Sequence, residues 1–151
     1  MPGEAIPPLD AVTLASYRVA RYVVHDGDAT TTLRLDMHNP DLAALMRRHG
    51  VSSACFVTAY NPFSQDRTPD QNEAANAALR AWLQARGWPI LEGDGCCGED
   101  ARDAERSFLA FGPAAEDARA MCVAFGQNAV VFAGADAVPV LLFHPGLGTT
   151  P

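Results

Sequence analysis

The sequence has few basic residues and no long apolar run. Its 11 Lys and Arg residues face 18 Asp and Glu, so the formal net charge is −7. A negatively charged surface repels phosphate backbones, which argues against nucleic-acid binding. The basic cluster of Arg47, Arg48 and His49 is predicted to end a helix instead. No apolar stretch approaches the roughly 20 residues of a membrane span, so no membrane association is predicted.

Cysteines are also few, and their spacing fits no metal site. Cys55 and Cys122 lie in apolar surroundings and are predicted to be small core residues. Cys96 and Cys97 are adjacent, which is not a zinc-binding spacing. Acidic neighbours such as Asp94 disfavour a reactive thiolate, so the pair is predicted to lie unreactive in a loop. The sequence therefore predicts no metal and no cofactor.

The chain has 151 residues, of which 48% are hydrophobic and 19% charged. These values predict one globular domain over residues 1–151, with loose proline- and glycine-rich tails at 1–8 and 145–151. The first ten residues contain no basic residue and no apolar segment typical of a secretory signal. A cytoplasmic protein is therefore expected.

Local patterns predict the elements of the first third of the chain. A short helix is expected over residues 9–17, with Leu9, Val12 and Ala15 on one face. Strands over 19–25 and 30–36 flank an Asp-Gly turn, which is typical of a hairpin. Asn39 followed by proline predicts a helix start, and Gly50 its end.

A buried strand is predicted over residues 54–57, before a polar turn. Asn61 precedes a proline and is therefore expected to be extended. Thr68 and Gln71 have the spacing of a capping box, which predicts a helix that ends at Gly87. One face of that helix carries four residues spaced by three or four positions: Asn72, Asn76, Leu79 and Leu83. Two asparagines on a core stripe are unusual, because asparagine is a poor residue for a helix interior.

The remaining elements complete an α+β pattern. A short strand over 88–91, a polar loop over 92–106 and a strand over 107–111 precede a helix that opens at Gly112 and Pro113 and ends at Gly126. Strands are predicted over 129–133 and 138–143. Strands and helices without strict alternation predict an α+β domain with a mixed or mostly antiparallel sheet and about three helices.

Amide, hydroxyl and carboxyl groups recur around the strand end at 58–64 and in later segments, which favours a site for a small polar ligand. The predicted ligand-binding residues are Thr58, Asn61, Ser64, Asn72, Asn76, Ser107, Gln127 and Asn128. Glu105 precedes an apolar strand and is the candidate catalytic acid or base. The alternative is that these groups satisfy turn and loop backbone. Tyr60, Trp82 and Trp88 are predicted to pack in the core.

These motifs resemble a bacterial family, the domain-of-unknown-function 3293 family, over about residues 17–132. The first shared pattern is Thr-Ala-aromatic-Asn-Pro-x-Ser, followed by an Asn-bearing helix, Glu-x-Ser-Phe and Phe-Gly-Gln-Asn. In this sequence the patterns are carried by Thr58, Ala59, Tyr60, Asn61, Pro62 and Ser64, by Asn72, Asn76 and Leu79, by Glu105, Ser107 and Phe108, and by Phe125, Gly126, Gln127 and Asn128. Asp103 departs from the family pattern, which has a tryptophan there. The resemblance implies a shared fold and polar cluster, and it implies no activity.

Three functions stay open from the sequence. The first is a small binding or regulatory module that uses the polar cluster on a ligand. The second is an enzyme on a small polar substrate, with Glu105 as acid or base and with Asn61 and Gln127 as orienting groups. The third is a protein-interaction or immunity-type protein, since an acidic surface fits a basic partner.

Overall fold

The computed structural model describes residues 6–96 and 104–147. In these residues the chain forms four α-helices, which are α1 (Ala11–Val19), α2 (Pro40–Arg48), α3 (Pro69–Ala85) and α4 (Ala115–Phe125). The same residues form seven strands, which are β1 (Arg21–Asp26), β2 (Ala29–Leu33), β3 (Ala54–Val57), β4 (Ile90–Cys96), β5 (Glu105–Phe111), β6 (Ala129–Ala133) and β7 (Val140–Phe143). A short 3-10 turn (Pro62–Ser64) precedes α3. The predicted α+β class is confirmed, with four α-helices rather than about three.

The seven strands form one sheet in the order β2-β1-β4-β5-β3-β6-β7, and every pairing is antiparallel. β3 lies between β5 and β6 and is antiparallel to both. Val57 at its end is paired with Phe108 in the middle of β5, and Phe56 is paired with Val131 in the middle of β6. The chain therefore leaves β3 at the same sheet edge where it enters β5 and β6.

Helices cover both faces of the sheet, which explains why all four residues of β3 are buried. On one face, Leu42, Leu45 and Met46 of α2 pack in a cluster with Phe56 and Phe111. On the other face, the buried residues of α3 and α4 pack against the alternate side chains of β3 and β5. This second cluster includes Cys55, Val57, Leu79, Leu83, Phe108, Met121 and Cys122.

The predicted starts of α2 and α3 and the predicted end of α4 are confirmed by their hydrogen bonds, whereas α4 begins at Ala115 and not at the predicted Gly112 and Pro113. Asn39 caps α2, because its Oδ1 accepts from the backbone N–H of Leu42 at 2.9 Å. Thr68 and Gln71 exchange the two hydrogen bonds of a capping box, at 3.0 and 3.1 Å. Gly126 ends α4 with φ of 63°, in the left-handed region where glycine carries no steric penalty.

The first helix forms, but its predicted apolar face is wrong. Asp10 caps α1 by accepting from the backbone N–H of Thr13, so Leu9 precedes the helix. Val12 is 80% exposed, and Ala15 is exposed as well. No residue of α1 is fully buried. Polar side chains on its half-buried side, including Tyr17, face a cavity that is described below.

The predicted loop over 92–106 is partly wrong, because β4 continues to Cys96 and β5 begins at Glu105. Gly93, one of the glycines that indicated a loop, lets β4 pack closely within the sheet. A Cβ on Gly93 would lie 2.5 Å from the backbone oxygen of Val23 and 2.7 Å from Cε2 of Phe56. The rest of the predicted loop, with Cys97 and Asp103, lies outside the described residues. The predicted tail segments 1–5 and 148–151 do so too.

Four strands were predicted to extend too far at one end. β1 begins at Arg21 instead of 19, and β4 begins at Ile90 instead of 88. β2 ends at Leu33 instead of 36, and β7 begins at Val140 instead of 138. Asp36, in the predicted extension of β2, adopts φ of 63° and donates its backbone N–H to the oxygen of Pro139.

Across residues 6–96 and 104–147, none of the helices combines the length and apolar character needed to cross a membrane.

The packing around Gly93 predicts the effect of adding one methyl group. Gly93→Ala should lower the free energy of unfolding by about 1–3 kcal/mol, because the Val23 backbone and the Phe56 ring must move. Gly134→Ala is the matched control, since nothing lies within 4 Å of its Cβ position. We expect that variant to stay within about 0.5 kcal/mol of wild type. Urea denaturation measures both, and equal losses would contradict this account of β4.

Candidate functional site

A cavity of about 560 Å³ opens where β3 leaves the sheet, and we call it the strand-end cavity. It is lined by residues of α1, the loop after β3, α3, and the starts of β5 and β6. Seven of the nine predicted site residues line it: Thr58, Asn61, Ser64, Asn72, Glu105, Gln127 and Asn128. Asn76 and Ser107 line a separate cavity of about 330 Å³ beside α3.

Asn61 adopts the left-handed backbone conformation, with φ of 44° and ψ of 65°, so the prediction of an extended residue is wrong. Its backbone N–H donates to Oδ1 of Asn72 at 2.9 Å, and its Nδ2 donates to Oε2 of Glu105 at 3.0 Å. Its Oδ1 accepts from the backbone N–H of Arg67 and from Nδ2 of Asn72, both at 3.0 Å. The proline that follows favours an extended conformation at Asn61, and these hydrogen bonds offset that preference. Asparagine also tolerates the left-handed region better than most residues.

The turn that follows Asn61 contains further left-handed residues. Phe63 and Ser64 have φ of 54° and 61°. Each such non-glycine residue costs roughly 1–2 kcal/mol. Phe63 donates its backbone N–H to the oxygen of Gly126 at 2.7 Å, and its ring packs 5.7 Å from that of His144. Tertiary contacts therefore hold a strained turn at the rim of the cavity, a feature that clusters at ligand sites.

Several predicted site residues use their polar atoms on backbone groups. Asn76 accepts from the N–H of Ala59 at 3.1 Å and donates to the oxygen of Arg106 at 3.2 Å. Thr58 donates to the same oxygen at 2.6 Å. Gln127 donates to the backbone oxygen of Tyr60 at 3.1 Å. These side chains position the ends of β3, β5 and β6, and a binding role for them stays a prediction.

The remaining predicted residue with such a bond is Ser107, which donates to the oxygen of Glu105 at 2.9 Å. Its buried position in β5 places it away from the strand-end cavity. The second cavity that it lines also contains the ion pair of His25 and Asp94, whose Nε2 and Oδ2 atoms are 2.7 Å apart.

Glu105 is half-buried and faces the strand-end cavity at the start of β5. Its Oε2 accepts from Asn61, whereas Oε1 accepts no hydrogen bond from any described residue. Burial raises the pKa of this carboxyl, the hydrogen bond from Asn61 opposes the rise, and the negative charge of Asp66 adds to it. A carboxyl in this environment can hold or release a proton closer to neutral pH than an exposed one.

Tyr17, Ser64 and Asn128 form a polar group on the opposite side of the cavity. The buried Asn128 donates to the hydroxyls of Tyr17 at 3.1 Å and Ser64 at 3.2 Å. Those two hydroxyls are 3.2 Å apart. Tyr17 was not predicted as a site residue, and neither were Asp66 and Arg67, which also line the cavity. No local signal pointed to Tyr17, because it contacts Asn128 from 111 positions away.

The predicted core residues differ in their surroundings. Cys55 and Cys122 are buried, and burial raises the pKa of both thiols, to about 12 for Cys122. Trp82 and Trp88 are half-buried and pack with their ring centroids 6.2 Å apart. Tyr60 is half-buried and donates its hydroxyl to Glu73, and burial together with Glu73 raises its pKa to about 12. Cys96 is half-buried at the end of β4.

The described residues do not form a set of ligands for a metal ion. No group of three or more His, Cys, Asp and Glu side chains within the described residues is placed to hold a metal ion. The acidic pair of the strand-end cavity, Glu105 and Asp66, has no third such ligand among the described residues that line it.

Comparison with known proteins matches the middle of the chain. Residues 57–130 match the family model described as a protein of unknown function, DUF3293. This match supports the resemblance to that family. All nine predicted site residues lie within the matched stretch, although the match is shorter than the expected 17–132. No curated protein and no solved structure matches the chain.

The bonds of Asn61 predict the cost of replacing it. Asn61→Ala should lower the free energy of unfolding by about 3 kcal/mol, through lost hydrogen bonds and left-handed strain. Asn61→Gly loses the same side chain without the strain, and should be about 1 kcal/mol more stable than the alanine variant. Urea denaturation compares them. An alanine variant as stable as the glycine variant would show that strain at this position is unimportant.

The raised pKa of Glu105 predicts a dependence of stability on pH. Between the unfolded and folded pKa values, the native state binds more protons, so this carboxyl makes the protein less stable as pH rises. Glu105→Gln keeps an acceptor for Asn61 but cannot ionise. Its stability relative to wild type should therefore rise as pH increases above the unfolded pKa of about 4.3. Unfolding measured from pH 4 to 8 tests this, and a relative stability that falls with pH would contradict it.

Proposed function

We propose that this domain binds a small polar molecule in the strand-end cavity. The observation that carries the proposal is the strained turn at its rim, where Asn61, Phe63 and Ser64 are all left-handed. Strain of this kind persists only where the surroundings over-determine it, and it concentrates at ligand sites. The cavity volume of about 560 Å³ lies within the range of roughly 300–1,000 Å³ for small-molecule sites.

The rigidity of the rim favours binding. Asn61 is fixed by Asn72, Glu105 and the backbone of Arg67, so the rim needs no ordering when a ligand enters. A site that is already ordered loses less entropy on binding. The opposite wall is α1, which presents Thr13, Ser16 and Tyr17 to the cavity. This wall adds hydroxyl groups that fit a polar ligand rather than an apolar one.

An enzyme that uses Glu105 as acid or base is the second candidate. The raised pKa of this half-buried carboxyl supports it, because a general acid or base works best with a pKa near the working pH. Asn61 orients Glu105 directly. Gln127 bonds to backbone oxygens of Tyr60 and Phe125, so it supports the loop rather than a substrate. Turnover that survives Glu105→Gln would remove this candidate.

A protein partner is the third candidate, supported by the net charge of −7. The same charge supports the expectation that nucleic acid is not bound. The basic cluster at the end of α2 is partly neutralised, since Arg48 lies 2.8 Å from the carboxylate of Asp26. The strand-end cavity favours a small ligand over these alternatives.

A thermal-shift screen with two tryptophan variants tests the proposed function. Thr13 lines the cavity, so Thr13→Trp should fill it, whereas Val12→Trp adds the same bulk at an 80% exposed position of the same helix. A compound at 100 times its Kd adds about 2.7 kcal/mol, which raises the Tm of a domain this size by roughly 5–10 °C. We expect this shift in wild type and Val12→Trp, and its loss in Thr13→Trp.

Two results would count against ligand binding at this place. The first is a screen of amino acids, amines, sugars, nucleotides and carboxylic acids in which no compound raises the Tm of the wild type. The second is a shift of equal size in Thr13→Trp, which would place the binding compound outside the strand-end cavity.

A further inference from the structure

The strand-end cavity contains two carboxylates that form no ion pair with a described cation. Glu105 is half-buried, and Asp66 is close enough to raise its pKa. The ion pairs of the described residues join His25 to Asp94, Arg48 to Asp26 and Arg80 to Glu92, and neither cavity carboxylate takes part. Glu105 accepts a hydrogen bond from Asn61 but has no cationic partner. A half-buried carboxylate of this kind is costly, so the site favours an incoming positive charge.

The groups that face Glu105 strengthen this conclusion. The titratable and charged side chains that line the cavity are those of Tyr17, Tyr22, Tyr60, Asp66, Arg67 and Glu105. Among these described residues, Arg67 is the single cation. Its side chain is exposed and forms no ion pair with Glu105. A ligand cation would therefore meet Glu105 without displacing an arginine.

An anionic ligand is disfavoured at the same place. The N-terminus of α3 borders the cavity through Pro69 and Asn72. Its capping box with Thr68 and Gln71 already satisfies backbone N–H groups, and Asp70 adds negative charge to the first turn. The positive end of the helix dipole is therefore already compensated.

A second hydrogen-bond acceptor lies across the cavity from Glu105. Asn128 is 5% exposed and uses its Nδ2 on Tyr17 and Ser64, while its Oδ1 accepts no hydrogen bond from the described residues. Glu105 is the first residue of β5 and Asn128 immediately precedes β6, and these strands flank β3, so the two residues start from backbone about two strand spacings, or about 10 Å, apart. A short molecule with a hydrogen-bond donor at each end can reach both oxygens.

We propose that the ligand of the strand-end cavity carries a protonated primary amine that is held by the Glu105 carboxylate, with a second donor directed to Asn128. This inference rests on the proposed function and narrows it to short aliphatic amines. A bound ammonium favours the charged form of Glu105, so binding should lower the pKa of that carboxyl. The affinity should in turn fall at acidic pH, where Glu105 is protonated.

Short linear probes that differ in charge test the charge requirement. Butane-1,4-diamine carries two ammonium groups and 4-aminobutan-1-ol carries one. Butane-1,4-diol has the same chain length and carries none, and glutarate, one carbon longer, is a dianion. Titration calorimetry at 0.15 M salt should show both amines binding at least ten times more tightly than the diol, with no binding of glutarate. Carbon-13 NMR of the Glu105 carboxyl should show its pKa falling when the diamine saturates the site.

A pair of charge-matched variants separates this site from general attraction to an acidic protein. Glu105→Gln should weaken diamine binding at least tenfold. Glu92→Gln removes the same charge beside the second cavity, where Glu92 pairs with Arg80, and should leave binding unchanged. Equal losses in both variants, or a Glu105 pKa unmoved by saturating diamine, would overturn the inference.

The outcomes also distinguish this inference from the proposed function. If the diol or glutarate binds as well as the amines, and Thr13→Trp blocks that binding, the cavity binds ligands but does not select amines. The inference then fails while the proposed function stands. If Thr13→Trp leaves the binding of every probe and of every compound in the wider screen unchanged, both the inference and the proposed function fail.

Discussion

The hydrogen bonds of Asn61 are the constraint on which the candidate site depends. They join the loop after β3 to α3 through Asn72 and to β5 through Glu105. Because they also hold Asn61 left-handed, they set the direction in which the chain turns toward Gly126. This turn lines the cavity through Asn61 and Ser64. One side chain thus determines both the shape of the rim and the orientation of the carboxyl inside it.

The polar residues around β3 divide into two groups by what they bond. Asn76, Thr58 and Gln127 bond to backbone groups and hold the strand ends together. Glu105 and Asn128 keep an acceptor oxygen that no described residue satisfies. The first group costs little, because buried polar atoms with partners are stable. The second group can still form hydrogen bonds with a ligand. The number of polar atoms without a partner in the structure is therefore a better sign of a binding site than a polar cluster in the sequence.

Sequence predicted the parts of this fold that depend on local bonds. The caps at Asn39 and Thr68 lie within three residues of the groups they bond, so their spacing was sufficient. The asparagines of α3 were detected because helical periodicity places them beside Leu79. The prediction at Asn61 was wrong because the proline rule is local, whereas its partners are up to 44 positions away. In β4, glycine was taken for a loop signal, although close packing on Phe56 requires it.

The two walls of the cavity come from different parts of the chain. Asn61, Glu105 and Asn128 lie within the stretch that matches the family model, whereas Tyr17 and the rest of α1 lie before it. α1 has no fully buried residue, whereas α3 has four. The position of α1 is therefore less constrained by packing than the position of α3. Glu105 therefore lies within the matched stretch, whereas the α1 side chains that line the cavity do not. A ligand found for a protein that matches the same family model would test the need for a positive charge at Glu105, and it would not test the contacts with α1.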